Sequence, residues 1–250
     1  MSSDNSPADT GSSPDRGRFY LLHVGVPASI ALVIFAAYQI ADVDRTITAV
    51  FYDANAHDFP LRHNWFLDVV LHHWAKYVLV FGAALLFGAV AFLFLLPGHS
   101  VERRAALFIF LAMILGPLTA AGLRQVSNSP CPNELSDYGG YAASAARFQA
   151  GSVIVKRRGC FPDDHAAGGF GLTAWYFFWY RRNRRLARTA LGLGLAVGLM
   201  LGLGRVMQGA HFVSDEFWSA TICWAGALAL NWLILDRELS ASHLDFPHRA

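Results

Sequence analysis

The chain has 250 residues, of which 54% are hydrophobic and only 15% charged, with 7 Trp and 19 Phe. An ordinary soluble domain carries nearer a quarter charged residues, so this composition excludes one. The formal net charge of +2 is too small to argue for nucleic acid as a partner.

Residues 1–18, rich in Ser, Asp, Pro and Gly, read as a disordered N-terminus. They do not read as a signal peptide, because no basic start leads into a short apolar core with a cleavage site. Beyond them the apolar residues come in blocks of the length a helix needs to cross a bilayer. Six blocks stand out, at 20–40, 76–96, 105–123, 166–180, 187–203 and 217–235. The fourth is the shortest and begins in a glycine-rich stretch. The expected fold is therefore all-α: a polytopic membrane protein, a six-transmembrane-helix bundle over 19–236, with 237–250 as a tail. The 41–75 segment, with Trp65, Phe66 and Trp74, reads as an interfacial helix on the bilayer and as a lip for lipid entry. Its histidines, His57, His63, His72 and His73, show no ligand spacing and read as interfacial. In the fifth block Gly194, Gly198 and Gly202 form a small-residue ridge for packing or dimerisation. No span interior carries a charge, which argues against a transporter.

An even number of spans puts both termini on one side. The Lys and Arg totals of the two sides, 11 against 9, decide little. The five arginines within 181–188 form the strongest cytoplasmic signal, because the rule applies to short loops. The termini are thus expected inside, with 41–75, 124–165 and 204–216 outside. Against that bias the outer loops keep Arg124, Lys156, Arg157, Arg158 and Arg205. Binding an anion accounts for them; contact with lipid headgroups is the alternative.

Three outer segments invite comparison: "LRQVSNSPCP" (123–132), "CFPDDHAAGGF" (160–170) and "GRVMQGAHFVSDEFW" (204–218). Polar segments meeting at one bundle mouth are how a membrane site is built from few residues. In a helix His211 and Asp215, four apart, share a face, so the carboxylate can fix one ring tautomer and leave the other nitrogen free to attack. Arg205 offers a planar fork for phosphate oxygens. His165 opens the fourth span, where free N–H groups favour anions. The set describes phosphoryl transfer, with a nucleophilic histidine, a histidine acid, and arginines on the phosphoryl oxygens.

These residues resemble the type 2 phosphatidic acid phosphatase superfamily, the membrane branch with a haloperoxidase-like site. The resemblance rests on Arg205, His211 and Asp215 in R-x5-H-x3-D, on Pro162 to His165, and on Arg124 followed by Cys131-Pro132. It implies His211 as nucleophile, Asp215 as its orienting partner, His165 as proton donor, and Arg205 with Arg124 as phosphate ligands. It also implies a site on the periplasmic face of a bacterial inner membrane. The implied substrates are an anionic phospholipid, a polyprenyl diphosphate or lipid A, among membrane lipids and with no cofactor. A phosphotransferase with a lipid acceptor, or a non-catalytic lipid-binding member, are the alternatives. The chain departs from the family in four places. Arg124 replaces lysine, Cys131 replaces an arginine, Gly204 replaces serine, and Pro-Ser-Gly-His reads Pro162-Asp163-Asp164-His165. Lys156, Arg157 or Arg158 are candidates to replace the missing cation.

Asp163 and Asp164 admit three readings: helix N-capping, ion pairs with Lys156, Arg157 or Arg158, or a divalent metal held with His165, His211, Asp215 and Glu216. Cys131 and Cys160 flank the 124–165 loop on the outer face, where thiols oxidise. A bridge there would tie the first motif to the second and stabilise by about 3–4 kcal/mol; two reduced thiols are the alternative. Cys223 lies inside the last span. Oligomeric state is not written in the sequence.

Overall fold

A computed structural model describes residues 14–142 and 159–236. The chain divides into two compact units, one up to Ala41 and one from Asp42 onward. In the first, α1 (Pro14–Tyr20), a π-helical turn (Leu21–Gly25) and α2 (Val26–Ala41) run on as one helix. This helix starts within the stretch expected to be disordered; residues 1–13, like the 237–250 tail, lie outside the described residues.

The second unit opens with α3 (Val43–Ala49) and an irregular stretch over 50–65. A π-helical segment (Phe66–Trp74) then leads into α4 (Ala75–Leu95), and α5 (Ser100–Val126) follows. Two single 3-10 turns (Pro132–Glu134 and Ser136–Tyr138) precede α6 (Asp164–Phe170), α7 (Ala174–Tyr180), α8 (Arg184–Met207) and α9 (Val213–Leu230). Five helices, over 17–38, 66–95, 100–126, 184–207 and 213–236, are long and apolar enough to cross a membrane. A spanning helix satisfies its own backbone where no water can, which is why these apolar runs fold this way. The protein is an all-α polytopic membrane protein. On α4, Tyr77, Val78, Phe81, Leu85 and Phe92 are each more than half exposed, an apolar surface suited to lipid.

Two expected elements take a different form. The 41–75 segment is subdivided: only Val43–Ala49 stands as a separate short helix, and Phe66–Trp74 belongs to the helix that continues as α4. The expected fourth span is two seven-residue helices, α6 and α7, joined by a 3-10 turn (Gly171–Thr173). Small residues let this broken helix sit at the centre, with Ala166, Ala167, Gly169, Phe170 and Ala174 buried.

The glycine ridge of α8 is filled from within the chain. A Cβ at Gly198 would lie 2.2 Å from the Phe170 ring, and one at Gly194 2.8 Å from the Thr173 nitrogen. α6 and α7 thus lie in a groove that any side chain would close. Because α6 and α7 lead away from Asp163 and α8 leads back to Arg205, the arginine-rich 181–188 connection lies at the opposite end from both. There Asn183 caps α8 through the Arg185 and Leu186 amides, and the Arg184 guanidinium covers the Tyr180 ring at 3.6 Å.

Candidate active site

Three polar segments meet at the end of the bundle opposite that connection. Cys131 and Cys160 form a disulfide with Cα atoms 5.2 Å apart, and the Cys160 amide donates to the Ser129 carbonyl at 2.9 Å. The bridge joins the first motif to the second, as expected. The Asn133 amide donates to the Gly209 carbonyl at 2.9 Å, joining the first motif to the third. Gly209 has a φ of +68°, and a Cβ there would meet the Phe59 ring at 2.5 Å, so both the turn and the packing call for glycine. Phe59, Leu135, Tyr138, Ala142 and Phe212 form a small apolar cluster over this junction. From α3, Asp44 takes hydrogen bonds from the Ser214 amide and hydroxyl, holding the start of α9.

The site residues named from sequence converge here, apart from Lys156, Arg157 and Arg158, which lie outside the described residues. His211 is 1% exposed; its Nδ1 faces Asp215 Oδ2 at 3.4 Å, and the Phe212 amide donates to the same oxygen at 2.9 Å. Burial, with the Arg124 and Arg205 charges adding to it, holds the His211 ring well below its usual titration range. His211 is therefore neutral at ordinary pH, the form in which an imidazole is a nucleophile.

Asp163 and Asp164 divide two readings between them. Asp163 caps α6, its Oδ1 accepting from the His165 amide at 2.7 Å. The same oxygen lies 3.7 Å from His211 Nε2, and the Asp163 side chain is fully buried. Asp164 pairs with Arg124, whose Nε also donates to the Gly159 carbonyl at 3.1 Å. An ion pair was one of the three readings, with the 156–158 run as partner; that run lies outside the described residues, and among those described the partner is the first-motif arginine. Burial alone would raise the Asp164 carboxyl, but the Arg124 charge and hydrogen bond and the nearby histidines hold it below the usual carboxylate range.

Asp163, Asp164 and His165 can bring three donor atoms within 4.8 Å of one another. One oxygen of Asp163 caps α6, Asp164 is paired with a guanidinium, and Arg205 adds a second cation nearby, all of which weigh against a cation held by these donors. Glu216 lies apart from this group, buried against α8, where a Cβ at Gly202 would come within 2.0 Å of its carboxylate.

Sequence reasoning missed two residues. Gln208, 3% exposed, accepts from Arg205 Nη1 at 2.8 Å and donates to the Arg62 carbonyl at 3.1 Å, fixing the fork of Arg205. His72, read as interfacial, lays its ring 3.9 Å from that of His165. The signal for His72 was its place four residues after Asp68 and four before Lys76, a polar stripe at the start of an apolar helix.

A cavity of about 290 Å³ opens between the helix that includes α4 and α5, lined by Leu79, Ala83, Met113, Pro117 and Leu201, with Lys76 also on its wall. It reaches Asp164 and His165, while Val80 and Leu118 on its wall are 59% and 64% exposed on the outer surface.

The sequence profile of the PAP2 superfamily matches residues 105–238. The chain is 26% identical over 206 residues to the lipid A 4'-phosphatase of Francisella tularensis subsp. novicida (strain U112), covering 79% of this chain and 88% of that protein. No solved structure matches it significantly. The profile takes in more than half of the chain, including all three convergent segments from Arg124 to Asp215, and the chain belongs to the PAP2 superfamily.

Proposed function

We propose that this chain is a lipid phosphate phosphatase working through a phosphohistidine, with its site on the periplasmic face of a bacterial inner membrane. The observation that carries this reading is the meeting of a buried His211–Asp215 pair, Arg124, Arg205 and His165 at the inner end of an apolar cavity that is open to the lipid-facing surface. The arginine-rich connection at the far end supports an outward-facing site. The six-span count and inward termini follow if α6 and α7 together cross the membrane.

In this reading His211 Nε2 attacks phosphorus, forming an N–P bond as the bond from phosphorus to the lipid oxygen breaks. His165 gives its proton to that leaving oxygen, then takes one back from the water that attacks the phosphohistidine and releases phosphate. Burial, then His72 and Arg205 against the opposing pull of Asp163 and Asp164, holds His165 at about 4, so it is neutral in the empty site. The charge of the incoming phosphate raises it, bringing the acid proton with the substrate. The lipid belongs on the His165 side, where the cavity begins. Arg205 grips the phosphoryl oxygens, with Arg124 joining once phosphate displaces Asp164; Lys156, Arg157 and Arg158, outside the described residues, are the sequence's further candidates for phosphate binding. No metal takes part.

One observation favours a second reading. Asp163 Oδ1 lies 3.7 Å from the attacking nitrogen, and two like charges 4 Å apart repel by about 4 kcal/mol at an effective dielectric of 20. That is the arrangement of a member that binds lipid without cleaving it. Phosphate release in EDTA, from lipid A, polyprenyl diphosphate and phosphatidylglycerol phosphate in detergent, tests both readings. Release from one lipid class supports the phosphatase and names its substrate. Transfer to an added lipid acceptor with no release makes the chain a phosphotransferase, and the absence of both release and transfer sinks chemistry at this site and leaves the lipid-binding reading.

Gln208→Leu keeps most of the volume but removes the bond that Gln208 accepts from Arg205 and the bond to the Arg62 carbonyl that anchors Gln208. A hydrogen bond to a charged group contributes about 1.5–3 kcal/mol, so KM is expected to rise about tenfold or more, with kcat changing less. Steady-state kinetics on the active lipid checks this, and an unchanged KM would show that Arg205 does not need Gln208.

A further inference from the structure

His72 lies in a helix that has no part in the three motifs, yet its ring is laid against the His165 ring, with centroids 3.9 Å apart and planes 32° apart. The turn that carries it is π-helical: the Ala75 amide bonds to the Val70 carbonyl, five residues back. Such turns insert an extra residue into a helix and often mark functional sites. The segment is pressed toward α8 beside the site, since a Cβ at Gly204 would lie 3.4 Å from Leu71 and 3.7 Å from Leu67. His72 Nδ1, His165 Nε2 and Asp163 Oδ2 are all buried with no hydrogen-bond partner among the described residues. Three such atoms in one place fit a site that a polar ligand completes.

We propose that His72 is a positioning residue for His165, its ring fixing the tilt of the proton-donating imidazole toward the leaving oxygen. The proposal rests on the phosphatase reading for the role of His165, but not for the ring contact itself. A histidine with one face covered by a flat partner has few rotamers left, so its acidic nitrogen arrives already aimed. The ring contact also has an electrostatic consequence, because two imidazolium rings at this distance repel. The groups that face His165 are Asp163 and Asp164 on its own turn, His72 from the helix before α4, Arg205 from α8, and His211 from the turn before α9. Arg124 reaches it from α5 through Asp164, and Lys76 shares the cavity wall. Of these, His72 is the one whose ring lies tilted against that of His165, so its removal changes both aim and proton affinity.

His72→Ala and His72→Phe separate the two effects. Alanine leaves the His165 ring without support, and kcat is expected to fall about tenfold or more with KM nearly unchanged. Phenylalanine restores a flat face and hence most of kcat. It also removes a titratable neighbour whose charged form opposes protonation of His165, so the basic limb of the pH profile moves to higher pH. A readout independent of turnover is the ring titration of His165, followed by NMR of histidine-labelled protein in detergent and assigned with His165→Gln. The His72→Phe chain should titrate higher by about half a unit or more. Unmoved kcat in His72→Ala, or an unmoved His165 midpoint in His72→Phe, overturns the proposal. Should wild type cleave no lipid phosphate, the phosphatase reading fails, and the NMR arm still decides whether His72 acts on His165. If alanine unfolds the chain, phenylalanine carries the test through both readouts.

Discussion

A His211→Gln chain is expected to release phosphate at least about a thousandfold more slowly than wild type while keeping its fold, since removal of a nucleophile costs this much or more in comparable enzymes. His211 is 1% exposed and held from both sides: by Asp215 at Nδ1, and by a turn whose Phe212 amide is bonded to the same carboxylate. Glutamine preserves much of the bulk and a donor toward Asp215, but the lone pair of its amide nitrogen is delocalised into the carbonyl and cannot form the N–P bond. The fall should appear in kcat and in kcat/KM alike, because the lost interaction exists only once the bond begins to form. Asp215→Asn should follow the same direction by a different route, since an amide no longer selects the tautomer with a free Nε2. The assay is phosphate release from the lipid that proves active, beside a rapid alkaline quench, which spares an N–P bond, that seeks phosphate on the protein. Glutamine retaining more than about a tenth of wild-type kcat would remove His211 from the role of nucleophile, whatever the other residues do.

How legible the site was depended on how local each contact is. Arg205, His211 and Asp215 are carried by one stretch of chain, so their spacing already placed them together, and the structure adds that Gln208, inside the same stretch, holds the arginine. Helix capping was one of three readings of Asp163, and the structure shows that cap, which involves only the next few residues. The Cys131–Cys160 bridge was readable because both cysteines sit in one loop. The pairing of Asp164 with Arg124 across the bundle was not readable, because helices bring together turns that lie far apart in sequence. His72 was missed for the same reason, since its contact with His165 depends on how α6 packs beside the helix that leads into α4. The 166–180 block was harder still. Hydropathy marked it as apolar, but its break at Gly171–Thr173 follows from fitting small residues against the glycines of α8, which periodicity does not report.

The pair of acids in the second motif leads to the second large expected effect. Asp164→Ala strands Arg124, whose side chain is only 19% exposed, beside a site already containing Arg205. Breaking a mostly buried pair from one side costs about 3 kcal/mol, because the remaining charge is left without its partner. The Asp164 carboxyl is held below the usual carboxylate range, with burial outweighed by the Arg124 charge and hydrogen bond. A carboxyl depressed in the fold contributes stability above its unfolded pKa, and that contribution is lost as pH falls through the folded value. The wild-type advantage over Asp164→Ala should therefore be full at neutral pH and close only in acid, below the ordinary carboxylate range. Inorganic phosphate should close it too, by a different mechanism. In the variant Arg124 is free to take the anion, and ligand bound to the folded state alone raises stability with concentration. In wild type phosphate must first displace Asp164, so the same concentration stabilises less. Thermal unfolding in detergent, at neutral and acid pH, with and without phosphate, reads all four corners. A variant that gains no more from phosphate than wild type would mean that Arg124 is a structural partner of Asp164 and not a phosphate ligand. A larger gain would identify Asp164 as the residue a substrate must displace, an internal anion that keeps the phosphoryl seat closed until a better one arrives.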